Sequence, residues 1–511
     1  MLKGIEGREL SLNQRVEQVE DKLSLRQPGA ILLISCYELG HQPIGIAQPA
    51  GFLEQGGYEP AGLDIAVEAF DEQRARRARF VGISVPMHTA LRLGVRVAEL
   101  IRKTNPSCHI CFYGLYASLN AEYLLSLVAD SVIGGEYEMP LVDLVRALEN
   151  SREIGDIEGV SRLGRTARPV LKRPPSSFPI PSRSLLPRLG KYAHLERNGD
   201  QYLAGYVEAS RGCLHHCLHC PIVPVYEGRF FVFPQEAVLE DIRRQVQAGA
   251  SHITFGDPDF LNGPGHSMDI VRAMHAEFPD VTFDFTAKIE HLLKHRALFP
   301  ELGTLGCLFV VSAVESFSDL VLVQLKKGHT RADVITALDV VRSAGITLRP
   351  SFVAFTPWTS LEDYLEMFDI VEANNLIDAI DPVQYSVRLL IPPGSALLAQ
   401  SGIQRFLGPL DQAGFQHRWT HPDERMDRLH RMVSEAVEQA SLTDEDPAIT
   451  FDRLRALAYQ VADQQPVVAG SSTARLLERR RPPRLTESWF CCAEPTAGQF
   501  GPLQTKNHGE I

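Results

Sequence analysis

Short apolar runs alternate with amphipathic segments along two stretches of the chain. The first opens at Ala30 with AILLISCYELG and continues through GFLEQGGYEPAGLDIA, ARFVGISVPM, a helical HTALRLGVRVAELIRKTNP, CHICFYGLYA, DSVIGGEYE and MPLVDLVRALEN. Strand-length apolar runs separated by segments of helical period predict an α/β domain with a doubly wound parallel sheet over residues 28–150, after an N-terminal helical segment at 1–27. Residues 151–204 are rich in Pro, Arg and Ser and keep no period, which predicts a linker or wrapping segment. The second stretch, 205–400, alternates strand and helix six times, from QYLAGYVEAS through HITFGDPDF, VTFDFTAKI, CLFVVSAVE and ITLRPSFVAFTP to VQYSVRLLIPPG. Right-handed crossovers curl such a series into a partial (β/α)6 barrel with its chemistry on the loops at the strand C-termini. From 401 to 485 the pattern turns helical (ERMDRLHRMVSEAVEQA, TFDRLRALAYQVAD), and a tail at 486–511 ends the chain. No repeat of fixed period interrupts this order.

Composition narrows the picture. The 511 residues, 44% apolar, exceed one ordinary domain and supply more than one core. A formal charge of −12 leaves no general attraction for nucleic acid or an anionic membrane. The charged N-terminus has no apolar core of a leader, and runs such as CLFVVSAV are too short to span a bilayer. A cytoplasmic protein without nucleic-acid or membrane partners is the expectation. Nine cysteines, three of them crowded and two adjacent, suit reduced ligands better than a disulfide framework.

The crowded three lie in EASRGCLHHCLHCPIVPVYEG, immediately after the first strand of the second stretch. Zinc would need a fourth ligand, which His215, His216 or His219 can supply. Cys213, Cys217 and Cys220 on one loop also suit an iron-sulfur cubane, binding three irons and leaving the fourth open to a small chelating ligand. RGCLHHCLHC after a first strand, followed by βα units, resembles the radical S-adenosylmethionine enzymes. That resemblance implies a 4Fe-4S cluster on the three cysteines, S-adenosylmethionine chelated to the open iron, and reductive cleavage of its carbon–sulfur bond with electrons from a flavodoxin or ferredoxin. It further implies that Gly256 and Asp257 of FGDPDF meet the methionine amino group, and that Ser312 and Glu315 of VVSAVES face the ribose or methionine. Lys288 and Arg349 are implied to steady the carboxylate.

The first 150 residues are similar to the cobalamin-binding domain that precedes the barrel in one branch of this family, and IGGEYE matches a closing stretch of that domain. The first loop, SCYELGHQPIG, lacks the Asp-x-His-x-x-Gly motif of a lower axial imidazole and offers only His41 and Cys36. Cobalamin is therefore a candidate second cofactor. ESWFCCAEPTAGQ resembles the closing motif of a small group ending in Cys-Cys-Ala-Glu-Pro or its selenocysteine counterpart, which implies chemistry at Cys491 and Cys492. Three functions compete. The first is a radical enzyme that modifies a small substrate or transfers a fragment such as the 3-amino-3-carboxypropyl group to it, with a thiophilic acceptor such as arsenite. The others are a cobalamin-dependent methyltransferase and a non-catalytic zinc-stabilised binding protein.

Overall fold

The computed structural model describes residues 24–172, 177–464, 481–487, 497–500 and 503. The first sheet contains β1 (Ile31–Ser35), β2 (Ala61–Asp64), β3 (Phe80–Ser84), β4 (His109–Tyr113), β5 (Ser131–Ile133) and β6 (Val160–Ser161), in the spatial order β2-β1-β3-β4-β5-β6. β1 to β5 run parallel and β6 joins the edge antiparallel. Leu32 and Ile34 of β1 enter one core while Ile31 and Leu33 enter the other. Burial on both faces is why the strand reads as an unbroken apolar run. The order reverses between β1 and β3, so the crevice of this domain opens where the loops after those two strands diverge.

The linker wraps. It contributes β6, bridges Val170 to Gly135, and anchors to the second domain through a bidentate Arg183–Asp241 pair at 2.7 and 2.8 Å. It also holds β7 (His194–Arg197), which turns antiparallel into β8 (Asp200–Val207). β9 (Ser210–Gly212) and β10 (Phe230–Val232) form a short antiparallel ribbon. The barrel then continues through β11 (His252–Phe255), β12 (Thr282–Thr286), β13 (Cys307–Glu315) and β14 (Thr347–Phe352), all parallel to β8. Alternation sends Phe283 and Phe285 outward to the helices. His252 and Asp284 face inward, 2.9 Å apart, and Thr254 donates to the same carboxylate at 2.6 Å.

The sixth expected strand is reduced. VQYSVRLLIPPG begins as a 3-10 turn at Pro382–Tyr385 and meets the barrel at one parallel bridge, Phe355 to Arg388, closed by Phe355 N to Val387 O and Leu389 N to Phe355 O. Pro357 on one side and Pro392 and Pro393 on the other remove the N–H groups a longer ladder needs. The helical region begins later than expected. A hairpin of β15 (Leu407–Asp411) and β16 (Gln416–Trp419) precedes the helices Glu424–Thr443 and Pro447–Val461, turning where Gly414 N donates to Asp411. Those helices then pack on the barrel, with Phe451 against Phe368 and Tyr385. β17 (Arg484–Leu485) returns to pair antiparallel with β7 and completes a seven-stranded sheet.

Candidate active site

The cysteine loop hangs from the β9–β10 ribbon at the barrel mouth. Cys213 N donates to Arg229 O at 3.0 Å, Cys220 N to Cys217 O at 3.2 Å and Leu218 N to Leu325 O at 3.0 Å. Gly212 enters the loop at φ +81°, and a Cβ there would sit 2.4 Å from Arg229 O, so only glycine fits. Among the described residues the one trio of metal-ligand atoms that closes to within 4.8 Å belongs to His215, Asp259 and His291. The three cysteine sulfurs stay wider than that. Around a single tetrahedral zinc they would lie about 3.8 Å apart, whereas separate irons of a cubane are met by spaced thiolates. The loop histidines also diverge: His215 turns to Asp259, His219 to Glu315, and His216 lies against Gly228. Among the described residues no histidine completes a zinc site with the cysteines. Burial pushes the Cys220 thiol up to about 12, and a bound metal ion that displaced its proton would be needed to hold it as thiolate.

Glu315 ends β13 just past a register shift against β14, at φ +67°. Bulge and left-handed backbone together turn its carboxylate onto the cysteine loop. Its Oε1 accepts from His219 Nε2 and from Lys327 Nζ, each at 3.2 Å. Burial opposes ionisation, but Lys327 and His219 outweigh it and hold the carboxyl at about 2. Lys327 is 2% exposed and its charge is sustained against burial by Glu315 and the neighbouring Cys217. A fixed cation thus stands beside the thiols of Cys217 and Cys220. Lys327 carried no assigned role in the sequence; its signal was the KKGHT string, where Lys326 and Lys327 cannot be told apart.

After β11, Gly256 packs under Tyr206, whose hydroxyl would lie 2.0 Å from an added Cβ. Asp257 is committed to the backbone that leads into the loop, accepting from Ala209 N at 3.0 Å and from the Ser210 hydroxyl. Burial pushes its carboxyl up to about 7. The free hub is instead Asp259, two residues on, which gathers His215 at 3.2 Å and His291 at 2.9 Å. Lys288, expected at the site, is there: its Nζ donates to His215 Nδ1 at 3.3 Å and to Glu290 at 3.1 Å. Asp259 and His291 were not singled out in the sequence; Asp259 lies in the segment after β11 and His291 in the helix Ile289–Lys294 after β12, and neither carries a motif of its own.

Two expected residues lie elsewhere. Ser312 shares the side of β13 that carries Val310 and Val314 into the core against the helices, by strand alternation. Arg349 is held inside the barrel by Asp381 at 2.8 and 2.9 Å, over the ring of Phe309, and reaches Pro483 O at 3.5 Å. Its guanidinium is a bracket between barrel and C-terminal segment. Cys491 and Cys492, with the rest of the Cys-Cys-Ala-Glu-Pro motif, lie outside the described residues.

The first domain faces this mouth. The loop after β5 presents Glu136 and Glu138 to Arg211, at 3.5 and 2.8 Å, and Glu208 joins at 3.1 Å. Tyr137 and Phe233 lie on either face of the guanidinium. Three carboxylates around one buried cation cannot all ionise cheaply; burial pushes Glu136 up to about 7 against the pull of Arg211. His41 stacks on Tyr206 of β8 at 4.4 Å and burial pushes its imidazole down to about 4. Cys36 is buried and its thiol is raised by that burial. Polar atoms without partners collect at the mouth: His219 Nδ1, Asn262 Nδ2 and His329 Nδ1 are all buried and unpaired. Buried polar atoms left unpaired suit a polar ligand such as an amino acid moiety, and the three spaced thiols suit a cluster.

Comparison with known proteins agrees with that fit. Residues 207–369 match the radical SAM superfamily and residues 29–145 the B12 binding domain. The chain thus carries a radical SAM superfamily domain with a B12-binding domain ahead of it. It is similar to the hopanoid C-3 methylase of Methylococcus capsulatus, 25% identical over 62% of this chain and 62% of that protein. It also resembles an uncharacterized methyltransferase of Pyrococcus horikoshii, 26% identical over 52% of this chain and 58% of that one. The chain spans about three fifths of the length of these curated relatives. Among solved structures, the cobalamin-dependent S-adenosylmethionine radical enzyme OxsB, with aqua-cobalamin and S-adenosylmethionine bound, superposes at a TM-score of 0.65 and 16% identity over 86% of this chain and 70% of that one. The radical S-adenosylmethionine methyltransferase TsrM of Kitasatospora setae gives 0.55 and 17% over 68% and 70%. Among the described residues no helix is long and apolar enough to cross a membrane.

Proposed function

We propose that the protein is a cobalamin-dependent radical S-adenosylmethionine methyltransferase acting on a small-molecule acceptor. The observation that carries the reading is the clamp of the B12-type domain onto the strand feeding the cysteine loop: Arg211, two residues before Cys213, is bound by Glu136 and Glu138 across the domain seam. Cys213, Cys217 and Cys220 would hold the cluster, which when reduced supplies the electron that cleaves S-adenosylmethionine, with flavodoxin or ferredoxin as donor. Lys327 keeps positive charge next to the thiolates, and Glu315 fixes both Lys327 and His219. The buried barrel wall keeps water from the reacting carbon. Methylase relatives favour this reading over aminocarboxypropyl transfer to arsenite. Divergent thiols and histidines tell against the zinc-stabilised binding protein.

The test is anaerobic purification, measurement of iron, sulfide and corrinoid, and incubation with methyl-labelled S-adenosylmethionine and a reductant. The expected products are S-adenosylhomocysteine and 5′-deoxyadenosine. Methylthioadenosine would restore aminocarboxypropyl transfer, and an iron-free protein with tightly held zinc would restore the binding protein.

A further inference from the structure

The crevice of the first domain lies where the loops after β1 and β3 diverge, and a phosphate-bearing ligand bound there would rest on the N-terminus of the helix that follows β1. In this chain that place is taken. Helix Ile44–Gln55 starts after Pro43, which supplies no side-chain cap. The cap comes from the preceding loop: Gly45 N donates to Glu38 Oε1 at 3.2 Å and to Oε2 at 3.3 Å. Glu38 is 7% exposed. A Cβ on Gly45 would lie 2.4 Å from Glu38 Oε1 and 2.3 Å from Ser84 Oγ at the end of β3, so helix start, carboxyl and strand end close on one another. From the end of β4 the Tyr113 hydroxyl donates to Gly45 O at 2.9 Å.

Behind this turn the helix lies directly on the sheet. Ile46, Ala50 and Leu53 share one buried core with Leu33 of β1, Phe80 of β3 and Tyr113 of β4. Even the side Gly82 leaves bare is filled, since a Cβ there would lie 3.0 Å from Leu33 Cδ2 and 3.1 Å from Tyr113 Cε1. The linker straps the outer side of the helix, with Ser182 N donating to Ala47 O at 2.8 Å and Gln48 Nε2 to Pro179 O at 2.9 Å. Burial pushes the Glu38 carboxyl up to about 8, and Asp64 and Glu208 add to the rise. Carboxyls therefore bear on the turn where a phosphate would need a cation. Cobalamin carries its phosphate on a nucleotide tail, whereas the edge of its corrin ring carries neutral amides whose N–H groups carboxyls can accept. We infer that this domain recognises its corrinoid by the ring alone, and that Glu38 keeps the phosphate-bearing tail out of the crevice. The inference rests on the proposed use of cobalamin.

The experiment is equilibrium dialysis of the full chain against hydroxocobalamin and against cobinamide, the same ring without the nucleotide tail, with bound corrinoid read by absorbance. The two dissociation constants of the wild type should agree within about tenfold, or about 1.4 kcal/mol. Cobalamin bound more tightly than that margin overturns this inference alone. Glu38→Ala, which frees the helix N-terminus, should shift the preference towards cobalamin, while Glu38→Gln, which keeps the cap, should behave as the wild type. An unchanged preference in a folded Glu38→Ala protein overturns the role of Glu38; should that variant not fold, the wild-type comparison still decides. A wild type that binds neither corrinoid overturns the cobalamin reading and this inference with it.

Discussion

Exchanging Glu315 for Gln and Lys327 for Met, singly and together, tests whether the mouth is held by a buried ion pair. At 3.2 Å the attraction between the two charges is roughly 5 kcal/mol at an effective dielectric of about 20. Depression of the Glu315 carboxyl from 4.5 to about 2 corresponds to about 3 kcal/mol, at about 1.4 kcal/mol per unit. The smaller figure is the better guide because it already contains the cost of burial. Because the folded carboxyl is depressed, this contribution is present above the unfolded value of 4.5 and is lost only as pH falls through about 2, so the cycle belongs at neutral pH. Each single substitution strands the partner's charge and should cost about 3 to 5 kcal/mol, while the double should fall short of their sum by about 3 kcal/mol. The assay is urea unfolding of the loaded protein without oxygen, read by loss of cluster absorbance, since a chain of several domains has no single transition. Additivity within about 0.5 kcal/mol would refute the pairing.

Replacing Cys213, Cys217 or Cys220 by Ala should remove iron and all cleavage of S-adenosylmethionine, whereas His216→Ala should leave iron content unchanged; loss of metal from the histidine variant would revive zinc. At the domain seam Glu136 is raised to about 7 by burial, so its contribution is full below the unfolded value of 4.5 and is lost as pH rises through about 7. Stability measured by denaturant should therefore decline between roughly pH 5 and 8, and Glu136→Gln should flatten that decline; the same slope in both proteins would show that another group carries it. Gly212→Ala, which sets a methyl against Arg229 O, should lower cluster occupancy while leaving the first domain's helical circular dichroism intact; normal iron content would refute the tight approach.

What could be read from the chain was local or periodic. β1 and β13 announce themselves because burial on two faces keeps their runs almost wholly apolar, and the cysteine spacing is a property of one loop. Glu315 was legible for the same reason, sitting in a short string at a strand end. Asp259 lies in the segment after β11, His291 in the helix after β12 and Lys327 between the two helices that follow β13, and nothing in the sequence says that the barrel brings them around one loop. Asp257 and Ser312 show the opposite difficulty. Their residue types suited the chemistry, but the Ala209 N–H claims one, and a single step in strand parity turns the other into the core. The hairpin β15–β16 escaped because LGPLDQAGFQHRW has no alternation, only an Asp-x-x-Gly turn. The sixth strand was overread because its prolines leave one bridge.

The outermost strand of the barrel sheet has a consequence during synthesis. β17 covers β7 from far along the chain, with Arg484 and Glu196 paired across 288 positions. Until residue 485 has left the ribosome, β7 presents open backbone to its surroundings. At about 5 to 20 residues per second that interval is roughly 15 to 60 s. An uncovered edge invites pairing with another chain. Shortened products that stop before Arg484 should accordingly aggregate while still containing Cys213, Cys217 and Cys220, and slow translation or a chaperone that shields β7 should raise the yield of full-length protein.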